Sequence, residues 1–117
     1  MHYSGAESVM DKDNTKLKGK TALITGGARR IGRAIALRLA EAGINVVIHY
    51  NSSGKEAGEV AALARKQGVH AWTVRADLSM DDEVKSLFSR LSGETGTVDF
   101  LVNNASVFSE SHLTGLG

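Results

Sequence analysis

The feature that most constrains this chain is a regular alternation of short apolar runs with amphipathic segments. The apolar runs predict strands at 21–25, 44–48, 69–74 and 98–102. The amphipathic segments predict helices at 29–42, 54–67 and 81–91. Strands joined through helices by short links lie parallel in one sheet with right-handed crossovers. The pattern therefore predicts an α/β protein in which a parallel sheet lies between two layers of helices.

The third predicted strand differs from the other strands because its apolar and polar residues alternate. Alternation indicates an edge position where one face is less covered, whereas the nearly all-apolar run Thr21–Thr25 indicates burial on both faces. A doubly wound, Rossmann-type sheet with strand order 3-2-1-4 places the third strand at that edge. The chain is thus predicted to hold the first four strands of such a sheet, as a truncated three-layer α/β/α domain.

Helix periodicity predicts which helix faces are buried, and capping residues predict where a helix begins. In the first helix, Ile31, Ile35 and Leu39 recur every four residues and are predicted to face the sheet. In the third helix the predicted buried positions are Val84, Leu87, Phe88 and Leu91. Ser79 or Asp81 is predicted to cap the start of that third helix.

Composition narrows the class of protein. With 42% hydrophobic and 23% charged residues and a net charge of +1, the chain is typical of an ordinary globular protein, and nothing favours a nucleic-acid or membrane partner. Its 117 residues include no cysteine and four histidines without metal-ligand spacing, so we expect no metal site. The lack of cysteine is compatible with a cytoplasmic protein. Residues 1–16 are interpreted as a flexible leader and 17–117 as the domain.

The first strand runs directly into a glycine-rich turn that opens the first helix. A turn this tight between a strand and a helix needs glycine where φ is positive, and Gly32 would let the helix pack closely on the sheet. Backbone without side chains at a helix N-terminus is also what a pyrophosphate needs to approach. The alternative interpretation is a structural turn without a ligand.

Three motifs at strand ends resemble those of the short-chain dehydrogenase/reductases. The turn resembles T-G-x-x-x-G-I-G, Asp77-Leu78 resembles the D-L/V pair that contacts adenine, and Asn103-Asn104-Ala105 resembles N-N-A-G. The resemblance implies a dinucleotide site at the carboxyl ends of the strands. The cofactor-binding residues that it implies are Gly26, Ala28, Arg29, Arg30, Ile31, Gly32, Tyr50, Asn51, Ser52, Ser53, Asp77, Leu78, Asn104, Ala105 and Ser106.

Two departures from the family pattern resemble the pteridine reductases. Arg30 replaces the usual middle glycine, and Ser106 replaces the last glycine of N-N-A-G. The pair His49-Tyr50 and the segment Ala105-Ser106-x-Phe108 are similar too. This resemblance implies that Arg30 reaches cofactor phosphate and substrate and that Phe108 stacks on a pterin ring. Alternatively, Phe108 packs into the core and Arg30 is a solvated charge.

The end of the second strand bears on the choice between NADP(H) and NAD(H). NAD-binding folds of this type place an acidic residue there for the ribose hydroxyl, but the segment His49 to Ser53 contains none. Asn51, Ser52, Ser53 and Arg29 instead offer donors suited to a 2′-phosphate. Residues 51–53 could equally cap the next helix. NADP(H) is the predicted cofactor.

No catalytic residue is assigned. The family resemblance implies a downstream Ser and Tyr-x-x-x-Lys, whereas the tyrosines here are Tyr3 and Tyr50 and neither begins that motif. The first hypothesis is an NADP(H)-dependent oxidoreductase acting on a carbonyl or imine, with a pteridine or dihydrofolate reductase as an alternative. The second is a non-catalytic NADP-binding module. An intact protein of this kind is expected to form a homodimer or homotetramer.

Overall fold

The structure is a computed structural model that describes residues 17–104. The predicted leader and residues 105–117 lie outside the described residues. Seven elements follow one another: β1 (Thr21–Thr25), α1 (Arg30–Glu41), β2 (Asn45–Tyr50), α2 (Gly54–Arg65), β3 (Ala71–Arg75), α3 (Asp81–Glu94) and β4 (Phe100–Asn103). Each predicted strand and helix is present, with ends shifted by up to three residues. Between residues 17 and 104, no helix is both long and apolar enough to cross a membrane.

The four described strands form one parallel sheet in the order β3-β2-β1-β4. Thr21 of β1 aligns with Asn45 of β2, and Ala22 of β1 aligns with Phe100 of β4. Because the strands are parallel, their carboxyl ends share one edge of the sheet, which is where ligands bind in doubly wound folds. The predicted Rossmann-type order is confirmed, including the edge position of β3.

Alternate residues of the strands pack into two separate cores. Ala22 and Ile24 of β1 belong to the core under α1 and α2, which is dominated by small side chains such as Ala36 and Ala61. Leu23, on the opposite face of β1, packs in a second core with Leu87 and Leu91 of α3. The sheet is therefore covered on both faces, as the predicted three-layer arrangement requires.

The buried face of α1 contains Gly32, as predicted, but it lies one position away from the predicted stripe of Ile31, Ile35 and Leu39. Gly32, Ala36 and Ala40 are buried, whereas Ile31 is 68% exposed and Ile35 and Leu39 are only half-buried. Small residues let the helix axis approach the sheet closely, so the larger side chains are pushed to the flanks. The four-residue period was correct, but side-chain size decided which stripe faces the sheet.

The start and the outer face of α3 also differ from the prediction. Met80 occupies the N-cap position, and its side chain makes no capping hydrogen bond. Ser79 does not cap the helix because its hydroxyl donates to Asp77 Oδ1 at 2.7 Å. Asp81 lies inside the first turn. Phe88, predicted to be buried, is 48% exposed.

Candidate functional site

The turn between β1 and α1 is held by the end of β2. Gly26 has φ of 64°, in the left-handed region that favours glycine. Its N–H donates to Nδ1 of His49 at 2.9 Å, and the N–H of Gly27 donates to the His49 carbonyl at 3.0 Å. Both contacts fix the turn relative to the neighbouring strand.

Gly32 of α1 lies against the same turn and against the end of β4. A Cβ at this position would overlap the Gly26 carbonyl and come within 2.7 Å of Nδ2 of Asn104. That amide nitrogen donates to the Gly26 carbonyl at 3.2 Å, and the Asn104 N–H donates to Thr25 Oγ1 at 2.9 Å. The first and last motifs are therefore joined by direct contacts, and Gly32 is required by close packing as predicted.

The N-terminus of α1 points a set of backbone donors and positive charge outward. The N–H groups of Arg30, Ile31 and Gly32 have no acceptor among residues 17–104, as expected for a first helical turn. No acidic residue occupies that turn. Arg29, at the N-cap, and Arg30 are exposed, and Arg30 adopts φ of 53°, a glycine-like backbone conformation. The helix dipole and both arginines favour an anion here.

A small open pocket lies beside this turn. Within the described part of the chain, its lining contains no carboxylate, and Arg29 Nη1 donates to Ser53 Oγ at 3.4 Å across it. Ser53 is the N-cap residue of α2 but makes no side-chain capping hydrogen bond, so its hydroxyl is not consumed by the helix. The residues around the pocket, all expected on sequence grounds to bind cofactor, are Gly26, Ala28, Arg29, Tyr50, Asn51, Ser52 and Ser53.

The end of β3 places Asp77 and Leu78 at the same edge of the sheet. The hydroxyl and the backbone N–H of Ser79 both donate to Asp77 Oδ1, and these bonds lower the pKa of the Asp77 carboxyl. Leu78 is half-buried against the core that contains α3. Asp77 is thus held as an ionised acceptor in a fixed orientation.

His49 is a site residue that the sequence reasoning did not assign. It is buried, with Nδ1 accepting from Gly26 N–H and Nε2 2.8 Å from the Ala76 carbonyl. A carbonyl only accepts, so Nε2 carries the proton and the ring is neutral. Burial lowers the pKa of His49 below its usual 6.5, and the bond to Ala76 partly offsets this. The available signal was a polar residue within an apolar strand.

Some predicted site residues are not part of this pocket. Arg30 and Ile31 are exposed at the start of α1 and do not line it. Ala105, Ser106 and Phe108 lie outside the described residues. Their assignment to cofactor or substrate stays a prediction.

Comparison with known families identifies this arrangement. The family described as short chain dehydrogenase matches residues 20–115. The chain belongs to the short-chain dehydrogenase family. That match spans the three strand-end motifs and the whole of the described sheet.

Three relatives illustrate the similarity. The chain is 40% identical over 94 residues to 3-oxoacyl-(acyl-carrier-protein) reductase FabG of Staphylococcus epidermidis, covering 80% of this chain and 38% of that protein. The angucycline C-6 ketoreductase LanV with bound NADP superposes with a TM-score of 0.69 at 46% identity, over 76% of this chain and 37% of the other. NAD⁺-bound xylitol dehydrogenase superposes with a TM-score of 0.72 at 33% identity, over 77% of this chain and 34% of the other. The chain thus spans under two fifths of each of these relatives.

Proposed function

We propose that this chain forms the cofactor-binding part of an NADP(H)-dependent oxidoreductase that moves a hydride between nicotinamide and a carbonyl or imine carbon. The observation that carries the proposal is the pocket at the end of β2. It is lined by Arg29, Asn51, Ser52 and Ser53 and by no carboxylate. An acidic residue would repel a 2′-phosphate, whereas hydroxyl, amide and guanidinium donors bind one.

The residues present fit the dinucleotide. The pyrophosphate would lie against the amides of Arg30, Ile31 and Gly32, where unpaired donors and the helix dipole coincide. Gly26 leaves room for that approach because it carries no side chain beside the pocket, whereas Gly32 keeps α1 close against the turn. The 2′-phosphate would bind Arg29, Ser52 and Ser53, and Asp77 would accept a bond from the adenine end. The bound nicotinamide supplies or accepts the hydride, while these residues bind and orient it.

The reaction itself requires residues that these 117 do not include. The family resemblance implies a Ser and a Tyr-x-x-x-Lys pair, and this sequence contains no such pair. FabG and LanV, a ketoreductase, support the general reaction class for a protein that carries both parts. A non-catalytic NADP-binding module remains the alternative, and carbonyl reduction by the complete protein would exclude it.

The substrate remains a prediction from two residues, Arg30 and Phe108. These would flank a flat heteroaromatic ring, as the pteridine reductase resemblance implies, whereas the relatives described above act, by their names, as a 3-oxoacyl reductase, a ketoreductase and a xylitol dehydrogenase. Phe108→Ala should reduce turnover of a dihydropteridine far more than it weakens NADPH binding. Reduction of ketones or acyl thioesters, with none of any pterin or folate, would contradict the pteridine alternative.

The cofactor proposal is tested by introducing an acid into the pocket. In the full-length protein that carries this sequence, Ser52→Asp should weaken NADPH binding by about 1–3 kcal/mol and shift the preference toward NADH. The reason is that a charge-assisted hydrogen bond from Ser52 to the 2′-phosphate is replaced by repulsion between two negative charges. Ser89→Asp adds the same charge at an exposed position on α3 and should change neither affinity. Equal loss of NADPH and NADH binding in Ser52→Asp would contradict the assignment of this pocket to the 2′-phosphate.

A further inference from the structure

Arg75, at the end of β3, joins two loops that border the proposed adenosine end of the site. Its Nε donates to the Asn51 carbonyl at 3.1 Å and its Nη2 donates to Asn51 Oδ1 at 3.0 Å. Its Nη1 donates to Glu83 Oε1 at 3.0 Å, and the same oxygen accepts the Asp77 N–H at 2.7 Å. One guanidinium therefore connects the loop after β2 with the loop after β3.

These contacts determine which end of the Asn51 amide is available to a ligand. A guanidinium has only donors, so the amide atom that faces Arg75 is the oxygen Oδ1. The nitrogen Nδ2 then remains the free end, and within the described residues it has no hydrogen-bond partner. Asn51 lines the pocket beside α1. If the amide were reversed, its lone pairs would face an incoming phosphate and repel it.

Arg75 is not itself a candidate phosphate ligand. Its three guanidinium nitrogens all donate to protein acceptors, and Glu83 balances its charge. The positive charge next to the pocket belongs to Arg29, which already contacts Ser53. The contact of Arg75 that leads to the 2′-phosphate end of the pocket is therefore the one with Asn51, whereas its contact with Glu83 leads to Asp77 at the adenine end, which both cofactors share.

We propose that Arg75 is a positioning residue that sets the preference for a 2′-phosphate over a 2′-hydroxyl, by holding Asn51 so that its amide nitrogen donates to the phosphate. The inference rests on the proposed function, because it takes NADP(H) as the ligand of this pocket. It adds to that function a specificity determinant that lies one strand away from the phosphate.

The test compares 2′,5′-ADP with 5′-AMP, two probes that differ only in the 2′-phosphate. Arg75→Met should weaken binding of 2′,5′-ADP about fivefold to tenfold, the effect of one hydrogen bond, and leave 5′-AMP nearly unchanged. The matched control is Arg38→Met, which removes another exposed arginine–glutamate pair, Arg38–Glu41 at 3.2 Å near the end of α1. That variant should bind both probes as the unmodified protein does.

A double-mutant cycle separates positioning of Asn51 from general support of the fold. Asn51→Ala alone should weaken 2′,5′-ADP binding by a similar factor, and adding Arg75→Met to it should cause no further loss. A further loss of the same size would overturn the inference. So would unchanged 2′,5′-ADP affinity in Arg75→Met, and in that case the proposed function would stand. An unmodified protein that binds both probes equally would overturn both.

Discussion

Two regions of the molecule differ in how many of their side chains and backbone groups have partners. The first, which we call the corner, is the sheet edge where the glycine turn meets the ends of its neighbouring strands. The second is the surface formed by β4 and α3. At the corner, the glycine turn, His49 and Asn104 are joined by a continuous set of hydrogen bonds. On the other surface, Phe88, Phe100 and Leu101 are exposed and border a shallow, mostly apolar depression. The comparison indicates that the proposed cofactor-binding corner is organised by local hydrogen bonds, whereas the side chains of Phe88, Phe100 and Leu101 stay exposed within residues 17–104.

The largest expected effect concerns the segment taken alone. Residues 1–117 should be poorly soluble, oligomeric or molten, because within residues 17–104 β4 forms an edge of the sheet and carries exposed apolar side chains. They should also reduce no carbonyl with NADPH, because they contain no Tyr-x-x-x-Lys pair. Leu101→Lys should reduce the association. Size-exclusion chromatography with light scattering measures the state of association, and a thermal melt measures the cooperativity of unfolding. A monodisperse monomer with a cooperative melt would contradict the expectation, and reductase turnover would contradict the family-based catalytic assignment.

Two glycine-to-alanine changes test whether the corner is packed more tightly than α3. Gly32→Ala should destabilise the fold by about 1–3 kcal/mol, because its Cβ would overlap the Gly26 carbonyl. Gly93→Ala on α3 places a Cβ in open space and should stabilise the helix by about 0.5–1 kcal/mol. Urea unfolding measures both free energies. Equal effects from the two variants would remove the distinction between the regions.

Acid should weaken the corner through His49. The pKa of His49 is lowered in the folded protein, so just below its usual value of 6.5 the unfolded chain binds more protons than the folded one. The contribution of neutral His49 to the free energy of unfolding is therefore complete above pH 6.5. It is lost as the pH falls from 6.5 through the lowered pKa of the folded state. The pKa of Asp77 is lowered from 3.8, so its contribution to stability is present above pH 3.8 and is lost only at more acidic pH.

His49→Leu tests that assignment. It leaves the Gly26 N–H and the Ala76 carbonyl without their partner and should cost roughly 1–2 kcal/mol at neutral pH. The decline in stability below pH 6.5 should become shallower. His70→Leu, which removes an exposed histidine stacked on Trp72, is the control. An unchanged pH profile in His49→Leu would assign the decline to another group.

The smallest expected effect concerns Arg30. Its φ of 53° is unfavourable for a residue with a side chain, so Arg30→Gly should raise the free energy of unfolding by about 1 kcal/mol. The same change should weaken NADPH binding, because it removes a charge from the start of α1. Loss of both stability and affinity would mean that the arginine stabilises the turn itself.

Most of the fold was predictable because the alternation of apolar runs and amphipathic segments reflects burial directly. All four strands and three helices, and the order β3-β2-β1-β4, followed from that pattern. The buried stripe of α1 did not, because Gly32 and two alanines face the sheet while Ile31 is exposed. Periodicity gives the spacing of a stripe, but close helix–sheet contact selects small residues that hydrophobicity alone ranks lower.

The site was predictable where its residues lie next to each other in sequence. The turn 25–32 was identified from its glycines and the segment 50–53 from its lack of an acidic residue, and residues of both line one pocket. Their assignment to cofactor binding stays a prediction. His49 and Arg75 were not assigned, because their roles depend on partners 23 to 27 residues away for His49 and 24 away for Arg75. Such contacts exist only once the strands are aligned in the sheet, and no local pattern encodes them.

The most direct test of this account is the affinity of the unmodified protein for the two reduced cofactors. NADPH and NADH should be titrated into the full-length protein that carries this sequence, with binding followed by nicotinamide fluorescence. Because Arg29 and residues 51–53 form a carboxylate-free pocket, NADPH should bind at least about tenfold more tightly than NADH, a difference of about 1.4 kcal/mol. Equal affinities, or tighter binding of NADH, would contradict the account.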